Sequence, residues 1–193
     1  MKIRKDRSQK VVLEMDREEA GLPGVSLPEW RLRHILVPVD FSNCSRKAMH
    51  YAAGFAKQFN AEVTLLHVVV GVPPPPQMLI FEAETLSARY HETAAKQLAE
   101  WRQEIVSHGT VKAVVRAGVA AHQEIITAAQ ECNMDLIVIG NHGHTGLARL
   151  FTGSTTERVV RYAPCPVLVV REREQEFLEG TAISEGSEKS MPA

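Results

Sequence analysis

The sequence has no apolar run that approaches the roughly 20 residues of a membrane-spanning helix. It also lacks an excess of charge of one sign, because 22 Lys and Arg residues face 23 Asp and Glu residues. A balanced charge produces no overall field that would attract nucleic acid or an anionic membrane. We therefore expect neither of them as a partner.

Cysteine is scarce, since the chain has three, Cys44, Cys132 and Cys165. They are far apart and form no C-x-x-C pair, which indicates neither a disulfide framework nor a zinc ribbon. We expect buried free thiols in a reducing compartment. The basic N-terminal stretch is followed by an apolar segment, 11–13, that is too short for a signal peptide. The expected location is therefore the cytoplasm.

Several common catalytic and cofactor-binding motifs are missing. The sequence contains no P-loop motif, no G-x-G-x-x-G after its first predicted strand, and no G-x-S-x-G nucleophile turn. His142 and His144 form an H-x-H pair, but no Cys or carboxylate lies near them in sequence, which argues against a metal bound by the protein. We predict no catalytic residue and no protein-ligated metal site.

What the sequence does contain is a regular alternation of strands and helices in residues 33–172. Helical spacing of apolar residues follows most of the strands, and Ser42 is expected to cap the first helix. Such alternation requires crossover connections and a parallel sheet that is buried on both faces. The predicted fold is a doubly wound α/β domain with helices on both faces, flanked by an N-terminal arm, 1–32, and a disordered C-terminal tail, 173–193. Apolar runs predict its strands at 34–39, 62–70, 111–116, 135–139 and 166–170.

The segment 140–154 carries the strongest chemical signal. It begins with Gly140 and Gly143 after a strand and ends, nine residues later, with Gly153 and Ser154 where a helix begins. The first turn of a helix has unpaired N–H groups that can bind an anion, and glycine lets the backbone approach a ligand closely. The pattern predicts a phosphate site, although the glycines could also serve the turns alone.

A second signal is Asp40, at the end of the first predicted strand. A carboxylate accepts two hydrogen bonds and would suit ribose hydroxyls or the edge of a base. An acidic residue near a helix N-terminus is also favoured by the helix dipole, with no ligand involved. Both interpretations stay open, and the structural one is slightly favoured.

Four pieces of the sequence together resemble the universal stress protein family, in its ATP-binding branch. The resemblance covers about 33–171 and implies a five-stranded sheet in the order 3-2-1-4-5, with ATP bound at the first and fourth strands. The Gly-x-x-Gly, nine residues, Gly-Ser pattern is its most specific part. The pieces are 34–42, 63–68, 140–143 with 153–155, and 164–170.

The resemblance also implies roles for single residues. Pro38, Val39 and Asp40 would line the adenosine, and the Val68 backbone would pair with adenine. Ile139 would contact the base or the ribose. The phosphates, with a magnesium ion carried by the triphosphate, would be held by Gly140, Gly143, Gly153, Ser154 and Thr155, and more weakly by Thr156.

The implied function is that of a stress-response protein that binds ATP and acts as a nucleotide-dependent regulatory module. Because the sequence offers no evident general base for the γ-phosphate, a slow metal-dependent ATPase is the alternative. In the implied strand order, Pro166 to Val170 is an apolar edge strand. Such an edge invites pairing with a second copy, which predicts a homodimer.

Overall fold

The computed structural model describes residues 2–5, 11–14, 30–71, 80–141 and 154–171. The chain divides into two compact units, Met1–Arg31 and Leu32–Ala193. In the first unit, strand β1 (Lys2–Lys5) pairs antiparallel with strand β2 (Val11–Glu14). The sequence pattern did not predict this hairpin. The predicted tail, 173–193, lies outside the described residues.

The second unit contains a parallel sheet of five strands in the order β5-β4-β3-β6-β7. Counted within this unit, that order is 3-2-1-4-5, so the predicted topology is confirmed. The winding direction reverses between β3 and β6, which neighbour each other at the centre of the sheet. The strands are β3 (His34–Pro38), β4 (Glu62–Val70), β5 (Val111–Gly118), β6 (Leu136–Gly140) and β7 (Val167–Val170).

Helices cover both faces of this sheet, as predicted. Side chains alternate between the two faces of a strand, so Ile35 and Val37 pack under α1 and α2 while Leu36 packs under α3 and α4. Ser42 caps α1, because its hydroxyl oxygen accepts a hydrogen bond from the Ser45 N–H at 3.2 Å. The helices are α1 (Asn43–Phe59), α2 (Ile80–Ile105), α3 (Ala121–Glu131) and α4 (Ser154–Tyr162).

Along α2, the described apolar side chains are buried in the second half of the helix and exposed before it. Leu98 is fully buried and Trp101 is 4% exposed, whereas Leu86 and Tyr90 are 41% and 58% exposed. A helix of 26 residues is about 39 Å long, and the neighbouring strand β5, with eight residues, is about 26 Å long. The sheet is therefore too short to cover the whole helix.

All three cysteines are free, as expected, but only Cys44 is buried. Cys165 is partly buried, and this burial raises the pKa of its thiol, which disfavours the reactive thiolate. Cys132 is exposed because it follows the last turn of α3, so the expectation of burial was wrong for this residue. Among the described residues, no helix is long and apolar enough to cross a membrane.

Candidate functional site

The segment after β3 lies beside β4, four residues before that strand ends. Pro38, the last residue of β3, faces Leu66 in the parallel register. The next residue continues this pairing, because the Val39 N–H donates to the Leu66 carbonyl at 2.8 Å. Pro38, Val39 and Asp40 are thus held at the carboxyl edge of the sheet, where doubly wound folds bind their ligands.

The side chain of Asp40 closes the turn into α1. Its Oδ1 accepts hydrogen bonds from the Ser42 N–H at 3.1 Å and from the Ser42 hydroxyl at 2.6 Å. The same Ser42 hydroxyl oxygen caps α1 by accepting a hydrogen bond from the Ser45 N–H. This geometry supports the structural role of Asp40 that the sequence left open, and its contact with a nucleoside stays a prediction.

Gly140, at the end of β6, lies directly against the first turn of α1. A Cβ atom built on Gly140 would lie 3.0 Å from the carbonyl carbon of Cys44, 3.1 Å from its Sγ, and 3.1 Å from the Ser45 nitrogen. Two of these three atoms belong to the backbone and cannot rotate away. Glycine therefore favours this close approach of a strand to a helix, and a phosphate contact at this position stays a prediction.

Helix α4 is attached to the same point. Thr156, in its first turn, is 5% exposed and donates its hydroxyl to the Gly140 carbonyl at 2.9 Å. The residue after β6 bonds to β7 instead, because the Asn141 N–H donates to the Val170 carbonyl at 2.7 Å. The end of β6 thus fixes the N-terminal turns of both α1 and α4.

We expect Thr156→Val to lower the free energy of unfolding by about 1–2 kcal/mol, because the partly buried Gly140 carbonyl loses a donor while the side-chain shape is kept. Thr155→Val is the matched control, since this neighbour is only partly buried and should change stability by less than about 0.5 kcal/mol. Urea unfolding of both variants measures the difference. Equal stability of the two variants would show that the hydroxyl does not contribute.

The structure separates two residues that the sequence assigned to one pocket. Val39 is 4% exposed and packs in the core cluster under α1 and α2. Ile139 is 5% exposed and packs, together with the partly buried Val68, in the cluster under α3 and α4. Their side chains lie on opposite faces of the sheet, and the contact of each residue with a nucleoside stays a prediction.

The remaining predicted phosphate ligands are described only in part. Gly143 and Gly153 lie outside the described residues, as do His142 and His144. Ser154 begins α4, and Thr155 follows it in the first turn of that helix. Within the described residues, no group of three His, Cys, Asp or Glu side chains is arranged to hold a metal ion.

Sequence patterns missed an aromatic cluster beside the segment after β3. The ring of Phe41 lies 4.6 Å from the ring of His67 and 5.4 Å from that of Trp101, measured between centroids. The guanidinium of Arg46 lies over the Trp101 ring, 4.6 Å from its centroid. The same guanidinium forms an ion pair with the Glu104 carboxylate, at 3.3 Å between nitrogen and oxygen. The one available signal was His67, a polar residue within a run of buried apolar ones.

A model of the universal stress protein family matches residues 31–171. A universal stress protein of Methanocaldococcus jannaschii is 36% identical over 152 residues, which cover 75% of this chain and 85% of that protein. The solved structure of UspA from Lactobacillus plantarum has a TM-score of 0.67 and 30% identity, covering 74% of this chain and all of that one. A second solved structure, from M. jannaschii, has a TM-score of 0.65 and 30% identity, covering 76% of this chain and all of that one.

The family match spans both faces of the sheet and every element that meets at the end of β6. The identity to the M. jannaschii relative extends over most of both chains. The chain belongs to the universal stress protein family.

Proposed function

We propose that this chain binds ATP at the carboxyl ends of β3 and β6 and acts as a nucleotide-dependent regulatory module. The observation that carries the proposal is the attachment of two helix N-termini to one strand end, with α1 packed on Gly140 and α4 bonded to its carbonyl. The unpaired N–H groups of such helix ends, together with the dipole, favour phosphate groups.

The parts of the site would divide the nucleotide between them. The segment Pro38 to Asp40 and the backbone of Val68 would bind the nucleoside, because β3 ends opposite Leu66, two residues before Val68 in β4. Ile139 would contact the base or ribose from β6. The phosphates, with a magnesium ion carried by them, would be held by Gly140, Gly143, Gly153, Ser154 and Thr155.

A solved complex of the same fold holds a related ligand. The universal stress protein from Archaeoglobus fulgidus was solved with dAMP, and its similarity to this chain has a TM-score of 0.52 and 20% identity. At that identity the likeness concerns the fold alone. The proposal therefore depends on this chain's own residues at the ends of β3 and β6.

The proposal also covers the domain bounds, the cellular location and the oligomeric state. We propose that residues 33–172 form the nucleotide-binding domain, that the protein works in the cytoplasm, and that two copies pair through β7. In the described residues, β7 hydrogen-bonds to β6 on one side and to no strand on the other.

Mass spectrometry of the small molecules that co-purify with the full chain tests the proposal directly. We expect ATP or a breakdown product of it. Calorimetric titration with ATP and magnesium then gives the affinity, and assay of released phosphate distinguishes a binding module from a slow ATPase. A protein that co-purifies with no nucleotide and does not bind added ATP would contradict the proposal.

We also expect ATP to bind at least about tenfold more tightly than GTP. A site that recognises the base by hydrogen bonds to the Val68 backbone leaves polar groups unpaired when the wrong base enters. Competition of GTP against a fluorescent ATP analogue measures the ratio, and CTP serves as a control for binding through phosphates alone. Equal displacement by ATP and GTP would show that the base is not recognised.

A further inference from the structure

The ring of His67 connects β4 to the segment that follows β3. Its Nδ1 lies 2.8 Å from the Val39 carbonyl oxygen. A carbonyl oxygen accepts and does not donate, so Nδ1 carries the proton of this hydrogen bond. The bond therefore fixes both the orientation of the ring and the position of the Val39 carbonyl.

The same ring contacts a residue in an uncommon backbone conformation. Phe41 has a φ of 63°, in the left-handed region of the backbone that residues other than glycine and asparagine rarely adopt. Its ring lies 4.6 Å from the His67 ring and 5.4 Å from that of Trp101, in an edge-to-face arrangement with the latter. Such a conformation persists where surrounding contacts hold it, and these two rings provide them.

We propose that His67 is a positioning residue for the nucleoside side of the site. Its two contacts both end on the segment Val39 to Phe41, which contains Asp40, and its own peptide leads into Val68. One side chain thus sets the position of both segments assigned to the nucleoside. The inference rests on the proposed nucleotide binding and adds a residue that would not touch the ligand itself.

Two substitutions separate the hydrogen bond from the general packing of the ring. His67→Phe keeps an aromatic ring against Phe41 and removes the donor to the Val39 carbonyl. His67→Asn loses the ring, but its side-chain N–H₂ group occupies nearly the position of Nδ1 and can restore the bond. We expect His67→Phe to weaken ATP binding about tenfold, and His67→Asn to stay within about threefold of wild type.

Val111→Ala controls for a general loss of stability. Val111 is 5% exposed and lies at the amino end of β5, at the opposite edge of the sheet from the proposed site. This variant should be less stable and should bind ATP with unchanged affinity. Calorimetric titration of all four full-length proteins, well below their melting temperatures, gives the comparison.

The outcomes distinguish a failure of the positioning role from a failure of the proposed function. Tight binding by wild type and by Val111→Ala, a loss in His67→Phe and recovery in His67→Asn support the positioning role. Unchanged binding in His67→Phe, an equal loss in both His67 variants, or an equal loss in Val111→Ala would overturn it and leave the proposed function standing. A wild-type protein that does not bind ATP would overturn both.

Discussion

Gly140→Val should destabilise the domain by about 3 kcal/mol and abolish measurable ATP binding. Its Cβ atom would lie 3.0–3.1 Å from the backbone of Cys44 and Ser45, and valine adds two methyl groups to that contact. Overpacking of a closed site costs about 1–3 kcal/mol, and the upper end applies where the neighbours are backbone atoms. Gly140→Ala, which adds the Cβ alone, should cost about 1–2 kcal/mol.

Gly71→Ala is the matched control. Gly71 follows β4, and a Cβ atom built on it meets no atom within 4 Å. This variant should be as stable as wild type, or more stable by a few tenths of a kcal/mol, because alanine restricts the unfolded chain. Urea unfolding gives the stabilities, and titration with ATP at low temperature gives the affinities of the folded fractions.

The stability and the binding results are independent. A loss of stability confirms the close approach of β6 to α1, whatever the ligand. A loss of binding in the folded fraction supports a phosphate site at this strand end, since α1 has to move when Gly140 gains a side chain. A Gly140→Val protein with wild-type stability would contradict the packing of α1 on β6.

The topology could be predicted because its signals are local. The run Glu62–Val70 consists mostly of apolar and β-branched residues, and it forms a strand with those same bounds. Ser42 caps a helix because its hydroxyl needs a partner only three residues away. The hairpin of β1 and β2 was missed because β1 has one apolar residue, Ile3, among basic ones, and β2 has only three apolar residues.

The site could be predicted less well, because its contacts join residues that are far apart in sequence. Gly140 was expected to approach a ligand, whereas its missing side chain also leaves room for the close packing of Cys44, almost a hundred positions earlier. The bond between Thr156 and Gly140 and the bond between His67 and Val39 cross between elements in the same way. Residue patterns report which groups are present, and tertiary packing decides which of them meet.

Within the part of the chain that the structure describes, the outer edge of β7 pairs with no strand, and a substitution there should have the other large effect. Along a parallel strand, successive residues direct their backbone groups to alternate sides. The Pro166 and Val170 carbonyls accept bonds from the Ile137 and Asn141 N–H groups of β6 and the residue after it. The backbone groups of Val167 and Val169 therefore point away from β6, toward the side on which a second copy would pair.

Val169→Pro should convert the proposed dimer into a monomer. Proline removes the outward N–H of Val169, and edge strands tolerate proline because no internal bond is lost. A charged residue would be a poorer test, because the Val169 side chain packs against the core cluster under α3 and α4. Val169→Thr, which keeps the shape and the N–H group, should remain dimeric. Light scattering of the full-length variants, with circular dichroism to confirm folding, decides. A monomeric wild type, or a Val169→Pro variant that dimerises as tightly as wild type, would exclude pairing through β7.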